Sequence, residues 1–364
     1  MTVQDLKPMS PRLSAQLFHH ISYRWPRQRG LLIAVALFVL IFIWTAKLYG
    51  AAALEGLVKY DDQDAIQVPF PPPQGRKKLT PHPSSNASRA EWTPHNIPPN
   101  IWQISLHKNA KDKEPINPEN LQDAPTWLAM NPDYYFSVVS EEGGGEFVRQ
   151  NFADEPDVID AFERMPNVGM KSDLLRYLLL NIAGGVYTDT DTIALKPIDD
   201  WVPAEYRDKA KVIVGIEFDR LDGGPWADIN HWVQFCQWTI AAAPGHDLFR
   251  RMTKRILRSL EDLSELHELP IDQLKPTSFE VMNSTGPAAW TDIVFEQLQL
   301  FDPSLNDTKD LSGMTAPKLY GDILVLTIDG FGMGQVHSHS TNDGSVPKAG
   351  LVKHLFRGSW REGT

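Results

Sequence analysis

Two aspartates, Asp189 and Asp191, stand one residue apart at the end of an apolar, strand-like run in GGVYTDTDT, residues 184–192. In a strand, residues i and i+2 point to the same side, so the two carboxylates face the same way. Like charges held this close repel one another unless a positive charge lies between them. Because no lysine or arginine stands in this stretch, the pair predicts either a solvated turn or a site for Mg²⁺ or Mn²⁺, which prefer oxygen ligands.

A divalent cation held by these carboxylates would suit the transfer of a group from a diphosphate. The cation would bridge the diphosphate oxygens and neutralise the charge of the leaving group. Gly184 and Gly185 precede the pair, and glycine lets the backbone approach a ligand closely. Asp189 and Asp191 are therefore the first candidates for catalytic and metal-binding residues.

A second polar pair, Asp173 and Arg176, stands one helical turn apart in KSDLLRYLLLNIAGG. On a helix surface such an i, i+3 pair forms a local salt bridge that contributes a few tenths of a kcal/mol. The functional alternative is that a carboxylate beside a guanidinium grips neighbouring hydroxyl groups of a sugar.

Five further residues have functional alternatives that the sequence favours less. Glu217 and Asp219 stand two apart at a strand end, where a second acidic pair would face an acceptor. His337 and His339 alternate in GQVHSHS as metal ligands would, but an exposed loop is the favoured interpretation. Cys236, between Phe235 and Trp238 on a predicted apolar helix, is interpreted as a core residue rather than a nucleophile.

Strand and helix patterns alternate around these candidates. Strands are predicted in IPPNIWQISL, YYFSVVS, VYTDTDTIAL, KVIVGIEFD and ILVLTI, which begin at residues 97, 134, 186, 211 and 323. Helices are predicted in KSDLLRYLLLNIAGG and over most of 229–262. This alternation in one continuous domain predicts an α/β fold with a mostly parallel central sheet.

Length and charge limit the classes of function. The chain has 364 residues, a formal net charge of −11 and a single cysteine. A nucleic-acid partner is not expected, because binding phosphates requires a basic face. One cysteine excludes an internal disulfide.

An uncharged apolar run of sixteen residues, Leu31–Ala46, lies near the N-terminus. A transmembrane helix needs about 17–25 residues, so the run spans a bilayer if flanking residues join it. Basic residues dominate before the run and acidic residues soon after it, which places the N-terminus in the cytoplasm by the positive-inside rule. A signal peptide cleaved near residues 51–53 is the alternative, but the basic lead of thirty residues is too long for it.

The sequence therefore divides into four predicted segments. They are a cytoplasmic tail at 1–30, a transmembrane signal anchor at 31–50, a Pro-rich luminal stem at 51–98 and a folded domain at 99–364. The stem is centred on PFPPPQGRKKLTPHPSSNAS, which is typical of a semi-rigid spacer. Triplets that a lumen would expose to N-glycosylation begin at Asn86, Asn283 and Asn306.

The stretch SDLLRYLLLNIAGGVYTDTDT resembles the signature of the family 32 glycosyltransferases. In that family Ser-Asp, Arg-Tyr and Gly-Gly-x-Tyr-x-Asp-x-Asp recur at this spacing. The blocks FCQWTIAAAPGHDLF, STGPAAWTD and HLFRGSW are similar to those of fungal α-1,6-mannosyltransferases within the family. The resemblance runs from about residue 98 to the C-terminus.

The resemblance implies a GT-A-like nucleotide-sugar-binding fold and makes residues 99–364 the catalytic domain. It implies a retaining enzyme that transfers mannose from GDP-mannose to a mannose of an N-glycan on glycoproteins, in α-1,6 linkage, at the start of outer-chain synthesis. The implied cofactor is Mn²⁺, with Mg²⁺ as the alternative. The implied location is the Golgi membrane, with a single type II anchor and a luminal catalytic domain.

The resemblance also implies roles for individual residues. Asp191 would bind the metal, and Asp189 would bind the metal or the donor ribose. The remaining donor-binding residues would be Asp173, Arg176, Tyr187 and Gly185.

His354, in LVKHLFRGSW, resembles a C-terminal histidine that returns to the metal in related sugar-nucleotide enzymes. The alternative is a structural histidine that is hydrogen-bonded at a strand end. An imidazole ligand would favour Mn²⁺ over Mg²⁺.

Two other functions remain open at this point. One is mannose transfer to inositol phosphoceramide, because that group of enzymes shares the aspartate signature. The other is a non-catalytic scaffold subunit of a Golgi mannan-polymerase complex, against which the intact aspartate pair argues.

Overall fold

The computed structural model describes residues 96–106, 116, 118–226 and 229–357. The predicted cytoplasmic tail, the predicted membrane anchor and the stem up to residue 95 lie outside the described residues. Among the helices of the described region, none has both the length and the apolar character needed to cross a bilayer.

Eleven strands and eight α-helices form in the described region. The strands are β1 Asn100–Ile104, β2 Tyr135–Val139, β3 Gly185–Thr188, β4 Thr192–Ala194, β5 Val212–Val214, β6 Ile216–Asp219, β7 Val233–Phe235, β8 Thr239–Ala242, β9 Lys318–Tyr320, β10 Ile323–Val325 and β11 Val352–His354. The helices are α1 Ala124–Met130, α2 Glu141–Asn151, α3 Pro156–Arg164, α4 Val168–Ile182, α5 Asp247–His267, α6 Ser278–Ser284, α7 Pro287–Phe301 and α8 Ile328–Gly332.

Seven strands form the central sheet, in the order β2-β1-β3-β8-β5-β10-β9. β1 runs parallel to β2 and β3, and β5 runs parallel to β10. β8 is antiparallel to β3 and β5, and β9 is antiparallel to β10. The prediction of a mostly parallel sheet is therefore wrong, because half of the pairings between these described strands are antiparallel.

The mixed sheet follows from a long hairpin. β6 extends β5 after Gly215, β7 returns antiparallel to β6, and three residues then lead from β7 into β8. A parallel return would need a crossover of a dozen or more residues. The chain has no such crossover between β7 and β8, so β8 enters the sheet antiparallel to its neighbours.

The predicted strands around residues 101, 136, 186, 213 and 324 are confirmed, but the helix predicted over 229–262 is only partly correct. Its first half folds as β7 and β8, and its second half as α5, which begins after Pro244-Gly245 at the cap residue His246. Periodicity alone does not distinguish a short apolar strand from a buried helical segment. The β-branched and aromatic residues of the first half fit the strand.

Helix α4 positions the second polar pair. The Asn167 side chain accepts a hydrogen bond from the Met170 N–H and begins the helix. The helix ends before Gly184, whose φ of 62° is left-handed and suits glycine. α4 packs against β3 and α5, so both Asp173 and Arg176 are buried.

A separate two-stranded sheet brings the C-terminal strand to the end of β3. β11 pairs antiparallel with β4, and His354 lies opposite Thr192. The same side of the domain holds an apolar cluster that includes Trp127, Trp201 and Phe331. β11 is therefore anchored beside the turn that carries the aspartate pair.

Candidate active site

The aspartate pair lies in the turn between β3 and β4. The Asp189 N–H donates to the Trp238 carbonyl at 2.8 Å, which continues the β3–β8 pairing by one residue. The Asp189 carbonyl accepts hydrogen bonds from the Thr192 hydroxyl at 2.7 Å and from the Gln103 amide at 3.3 Å. The backbone is thus held on three sides, and the two carboxylates are partly exposed at the carboxyl edge of the sheet.

The residues that follow β11 wrap around Asp191. His354 Nε2 lies 3.1 Å from Asp191 Oδ1, and the Arg357 N–H donates to Asp191 Oδ2 at 2.9 Å. The Leu355 N–H donates to the Asp191 carbonyl at 2.9 Å. Between them, Phe356 adopts a left-handed φ of 51°. A non-glycine residue in this region is strained and persists only where neighbouring contacts hold it.

Asp189, Asp191 and His354 each offer one ligand atom, and these three atoms lie within 4.8 Å of one another. Two carboxylates and a neutral imidazole are a ligand set that fits Mn²⁺ well and Mg²⁺ less well. His354 Nδ1 is buried and has no hydrogen-bond partner within the described part of the chain. The residues present therefore fit a divalent cation, and His337 and His339 are not members of this cluster.

The protonation state of Asp191 is compatible with binding of a divalent cation. Burial acts to raise the pKa of its carboxyl, but the hydrogen bond and charge of His354 and the Arg357 N–H outweigh burial. The pKa of Asp191 is consequently held below its ordinary value, and the side chain is an anion at neutral pH.

Asp173 and Arg176 form a buried salt bridge at 2.9 Å rather than an exposed surface pair. Arg176 also donates to the Gln237 carbonyl at 3.1 Å and lies 3.4 Å from Asp189 Oδ1. Its guanidinium stacks over the ring of Tyr187, 4.5 Å from the centroid. Arg176 therefore joins the two polar pairs that the sequence presented separately.

Both oxygens of the Asp173 carboxylate accept hydrogen bonds from protein groups. Thr285 Oγ1 donates to one oxygen at 2.7 Å, and Gln237 Nε2 donates to the other at 3.1 Å. Burial raises the pKa of Asp173 to about 7, against the opposing effects of Arg176 and these two hydrogen bonds. Burial also acts to lower the pKa of Arg176, but the surrounding acids and tyrosines keep it above its ordinary value.

Tyr187 and Gly185 have different surroundings. The Tyr187 hydroxyl donates to Asp189 Oδ1, so the ring contacts both the aspartate pair and Arg176. Gly185 has a φ of 101°, and a Cβ there would lie 2.6 Å from the Asn100 carbonyl oxygen. Glycine is therefore favoured at position 185 because β1 approaches β3 too closely for a side chain.

Three residues of the site were not singled out from the sequence. Gln237 and Thr285 position Asp173, and the Trp238 ring stacks on His354 with 4.7 Å between centroids. These residues stand in the FCQW and STGP stretches, which are similar to the family. That similarity belongs to each stretch as a whole and assigns no role to a single residue.

Asp219, Glu217 and Cys236, the remaining candidates from the sequence, form contacts with other residues than the aspartate pair. Asp219 is bound by the Ser312 hydroxyl at 2.6 Å and the Gly313 N–H at 2.7 Å, and so holds a loop. Glu217 is buried and bonded to Gln234. Cys236 is a core residue, as expected, although it lies between two strands and not on a helix.

The chain is similar to known glycosyltransferases. A family model described as glycosyltransferase sugar-binding region containing DXD motif matches residues 118–208. The chain is 36% identical over 274 residues to the initiation-specific α-1,6-mannosyltransferase of Schizosaccharomyces pombe, covering 73% of this chain and 64% of that protein. It is 35% identical over 284 residues to the Candida albicans protein of the same name, covering 73% of this chain and 72% of that protein.

More distant likenesses extend the comparison. The Saccharomyces cerevisiae initiation-specific α-1,6-mannosyltransferase is 28% identical, with 73% of this chain and 78% of that protein covered. Among solved structures, the PaToxG glycosyltransferase aligns with 57% of this chain and 72% of its own, at 17% identity and a TM-score of 0.37. The chain belongs to the DXD-motif glycosyltransferase family that contains the fungal initiation-specific α-1,6-mannosyltransferases.

Proposed function

We propose that this protein is a retaining glycosyltransferase that transfers mannose from GDP-mannose to a mannose of an N-glycan in α-1,6 linkage. The acceptor would be the glycan of a glycoprotein at the start of outer-chain synthesis. One observation carries the proposal: the Asp189–Asp191–His354 cluster lies directly beside the buried Asp173–Arg176 pair. Relatives at 35–36% identity are named initiation-specific α-1,6-mannosyltransferases.

Asp189, Asp191 and His354 would hold the divalent cation, which we propose to be Mn²⁺. When bound, the cation supplies positive charge to a diphosphate leaving group. Trp238 and Phe356 flank His354 at centroid distances of 4.7 and 3.9 Å and fix the plane of the imidazole. The ligand set is therefore held in place before a cation arrives.

Asp173 and Arg176 would hold the donor sugar. Arg176 is held by Asp173, the Gln237 carbonyl and the Tyr187 ring, so its guanidinium keeps one orientation. Because the guanidinium is already held in one orientation, less conformational entropy is lost when a substrate binds to it. Tyr187 would line the nucleotide side, because its hydroxyl contacts Asp189.

The location is a separate part of the proposal. We place the protein in the Golgi membrane, anchored by residues 31–50 with the catalytic domain in the lumen. The support is the uncharged run Leu31–Ala46 and the basic residues that precede it. Protease added to sealed Golgi vesicles should then trim only the N-terminal tail. Digestion of the folded domain in intact vesicles would refute this orientation.

The transfer itself is tested with the full-length, detergent-solubilised protein. It is incubated with GDP-mannose and a high-mannose N-glycan, with and without Mn²⁺, and the product linkage is determined by NMR. Asp191→Asn keeps the size of the side chain but removes its charge, so turnover should fall by roughly 100-fold or more.

Three results would contradict the proposal. Transfer to inositol phosphoceramide but not to the glycan would assign the acceptor to the related lipid-modifying enzymes. Absence of transfer with GDP-mannose and every acceptor would favour a scaffold subunit. Normal turnover by Asp191→Asn would return the aspartate pair to a solvated turn.

A further inference from the structure

Glu217 is a buried carboxyl group that the proposed chemistry does not yet use. Its side chain lies in β6 at a bulge between Ile216 and Phe218, and the residue is 7% exposed. The carboxyl accepts a hydrogen bond from Gln234 Nε2, and no salt bridge to it forms within the described ranges. A carboxyl buried with a single neutral partner is costly unless a further group binds it.

Two buried amides beside Glu217 also have unused hydrogen-bonding atoms. Gln234 is 0% exposed and Gln335 is 5% exposed. Gln234 Oε1 and Gln335 Nε2 find no partner among the residues that the structure describes. A Cβ placed on Gly332 would lie 3.4 Å from Glu217 Cα and 3.6 Å from Gln335 Nε2, so Gln335 and Glu217 flank Gly332. One unused acceptor and one unused donor therefore lie near the carboxyl.

The strand register places this group at the same edge of the sheet as the aspartate pair. Thr188 at the end of β3 lies opposite Thr239 on β8, and the Cys236 N–H donates to the Gly215 carbonyl just after β5. β3 and β5 both run antiparallel to β8 and therefore run in the same direction. Gly215 is two strand spacings, about 10 Å, from Thr188, and the chain continues outward to Glu217.

Trp238 lies between the two groups. Its carbonyl accepts the Asp189 N–H, its ring stacks on His354, and in the described region its indole N–H has no partner. The carboxyl edge of an α/β sheet is where ligands bind.

We propose that Glu217, Gln234 and Gln335 form a subsite that binds hydroxyl groups of the acceptor sugar. This subsite rests on the proposed transferase function. A hydroxyl both donates and accepts, so it satisfies an unused amide oxygen and an unused amide N–H together. A phosphate group would need a cation, and among the described residues no lysine or arginine forms an ion pair or a hydrogen bond with these three side chains. An apolar ligand would leave the amides unpaired.

The acceptor, rather than the transferred sugar, is the occupant that the geometry favours. The proposed donor grip, Asp173 and Arg176, lies on the side of the aspartate pair, with a contact of 3.4 Å from Arg176 to Asp189. The group around Glu217 lies beyond Trp238 from that pair. An acceptor held there does not compete with the donor sugar for Asp173 and Arg176.

The protonation of Glu217 agrees with a binding role. Burial raises its pKa to about 8, and the hydrogen bond from Gln234 only partly opposes this. The neighbouring titratable groups Tyr177 and Cys236 are themselves buried and neutral, with pKa values well above their ordinary range. At neutral pH the carboxyl keeps its proton and donates a hydrogen bond, which neither a nucleophile nor a base would do.

Two variants of Glu217 test the subsite in the full-length protein with GDP-mannose, Mn²⁺ and a mannose oligosaccharide. Glu217→Leu removes all hydrogen bonding and should raise the acceptor KM by roughly 10-fold. Hydrolysis of GDP-mannose in the absence of acceptor should stay within about twofold of the wild type. Glu217→Gln keeps a neutral donor and acceptor, so its acceptor KM should lie between the two.

The matched control is Asp219→Asn, two residues along the same strand. Asp219 is equally buried but is satisfied by Ser312 and Gly313. Its replacement should lower the melting temperature and leave the acceptor KM unchanged.

Three outcomes would overturn the subsite. An unchanged acceptor KM in Glu217→Leu would show that Glu217 does not contact the acceptor. Equal loss of transfer and donor hydrolysis in Glu217→Gln would make Glu217 a nucleophile or base that acts on the donor. An effect of Asp219→Asn on the acceptor KM equal to that of Glu217→Leu would assign both to general disruption of β6.

Failure of the proposed function itself gives a different result, because the wild type then transfers nothing. In that case saturation-transfer NMR compares binding of the same mannose oligosaccharide to the wild type and to Glu217→Leu. Binding that is lost only in the variant supports the subsite independently of transfer. Equal binding to both proteins refutes it.

Discussion

Replacing His354 by alanine separates a metal ligand from a structural histidine. His354 Nε2 lies 3.1 Å from Asp191 Oδ1 and 3.9 Å from Asp189 Oδ2, and its ring stacks on Trp238 at 4.7 Å. The substitution removes one hydrogen bond and one stacking contact, so the metal-free protein should lose about 1–3 kcal/mol of unfolding free energy. This loss is expected whether His354 is a metal ligand or a structural histidine. The change in stability on adding metal distinguishes the two roles.

The magnitude of the metal effect follows from linkage. At a free Mn²⁺ concentration one hundred times its dissociation constant, binding stabilises the wild type by about 2.7 kcal/mol. Loss of one ligand typically weakens a metal site by about 10–100-fold, which leaves about 0.4–1.4 kcal/mol of stabilisation at the same concentration. Urea unfolding with and without Mn²⁺ measures this difference, and electron paramagnetic resonance of free Mn²⁺ gives the dissociation constant directly.

The matched control for His354→Ala is His337→Ala. His337 stacks on Trp226 at 5.1 Å and lies edge-on to Phe356 at 6.4 Å, and the described metal cluster does not include it. Its replacement should leave the Mn²⁺ affinity unchanged. The reasoning is refuted if His354→Ala loses stability without metal yet binds Mn²⁺ as tightly as the wild type. His354 would then be a packing residue.

Three further substitutions probe the positioning of the site. Arg176→Lys should reduce kcat/KM by about 10–100-fold, because a point ammonium cannot keep the contacts of the guanidinium with Asp173 and the Gln237 carbonyl; turnover near that of the wild type in a folded variant would argue against a donor grip. Gly185→Ala should destabilise the fold by about 1–3 kcal/mol in urea, since the residue has a φ of 101° and its Cβ would lie 2.6 Å from a backbone oxygen; an unchanged midpoint would mean that β1 moves freely at this point. Glu217→Gln should change the pH dependence of stability, because the wild-type carboxyl keeps its proton to about pH 8 when folded and releases it near 4.5 when unfolded. Wild-type stability relative to this variant should therefore fall by up to about 1.4 kcal/mol per pH unit as the pH rises through that window; a constant difference from pH 5 to pH 8 would exclude the raised pKa.

Local pattern was sufficient for the elements that carry most of the site. The spacing of apolar residues around Asp173 predicts a helix, and α4 covers Val168–Ile182. The glycines after it mark its end, and the short apolar run after them is β3. Asp189 and Asp191, separated by one residue and with no lysine or arginine in the stretch 184–192, were identified as a pair because their relation is local.

Contacts between segments far apart in the chain could not be predicted from the sequence. His354 meets Asp191 across 163 residues, and Thr285 meets Asp173 across 112 residues. No periodicity specifies such a contact, since periodicity reports which face of one element is apolar and not which element covers it.

The direction of β8 and the environment of the polar pairs were likewise decided by tertiary structure. The same apolar run, residues 233–242, satisfies a helix or a strand pattern. The pairing of β7 with β6, and of β8 with β3 and β5, selected the strands. Asp173 and Arg176 have the spacing of a surface salt bridge, but the packing of α4 buried them and made Arg176 the link to Asp189. The sequence by itself determined which groups are available for chemistry, because residue type and spacing are local properties. The tertiary structure decided which of them meet and how far they are desolvated, because both depend on segments far apart in the chain.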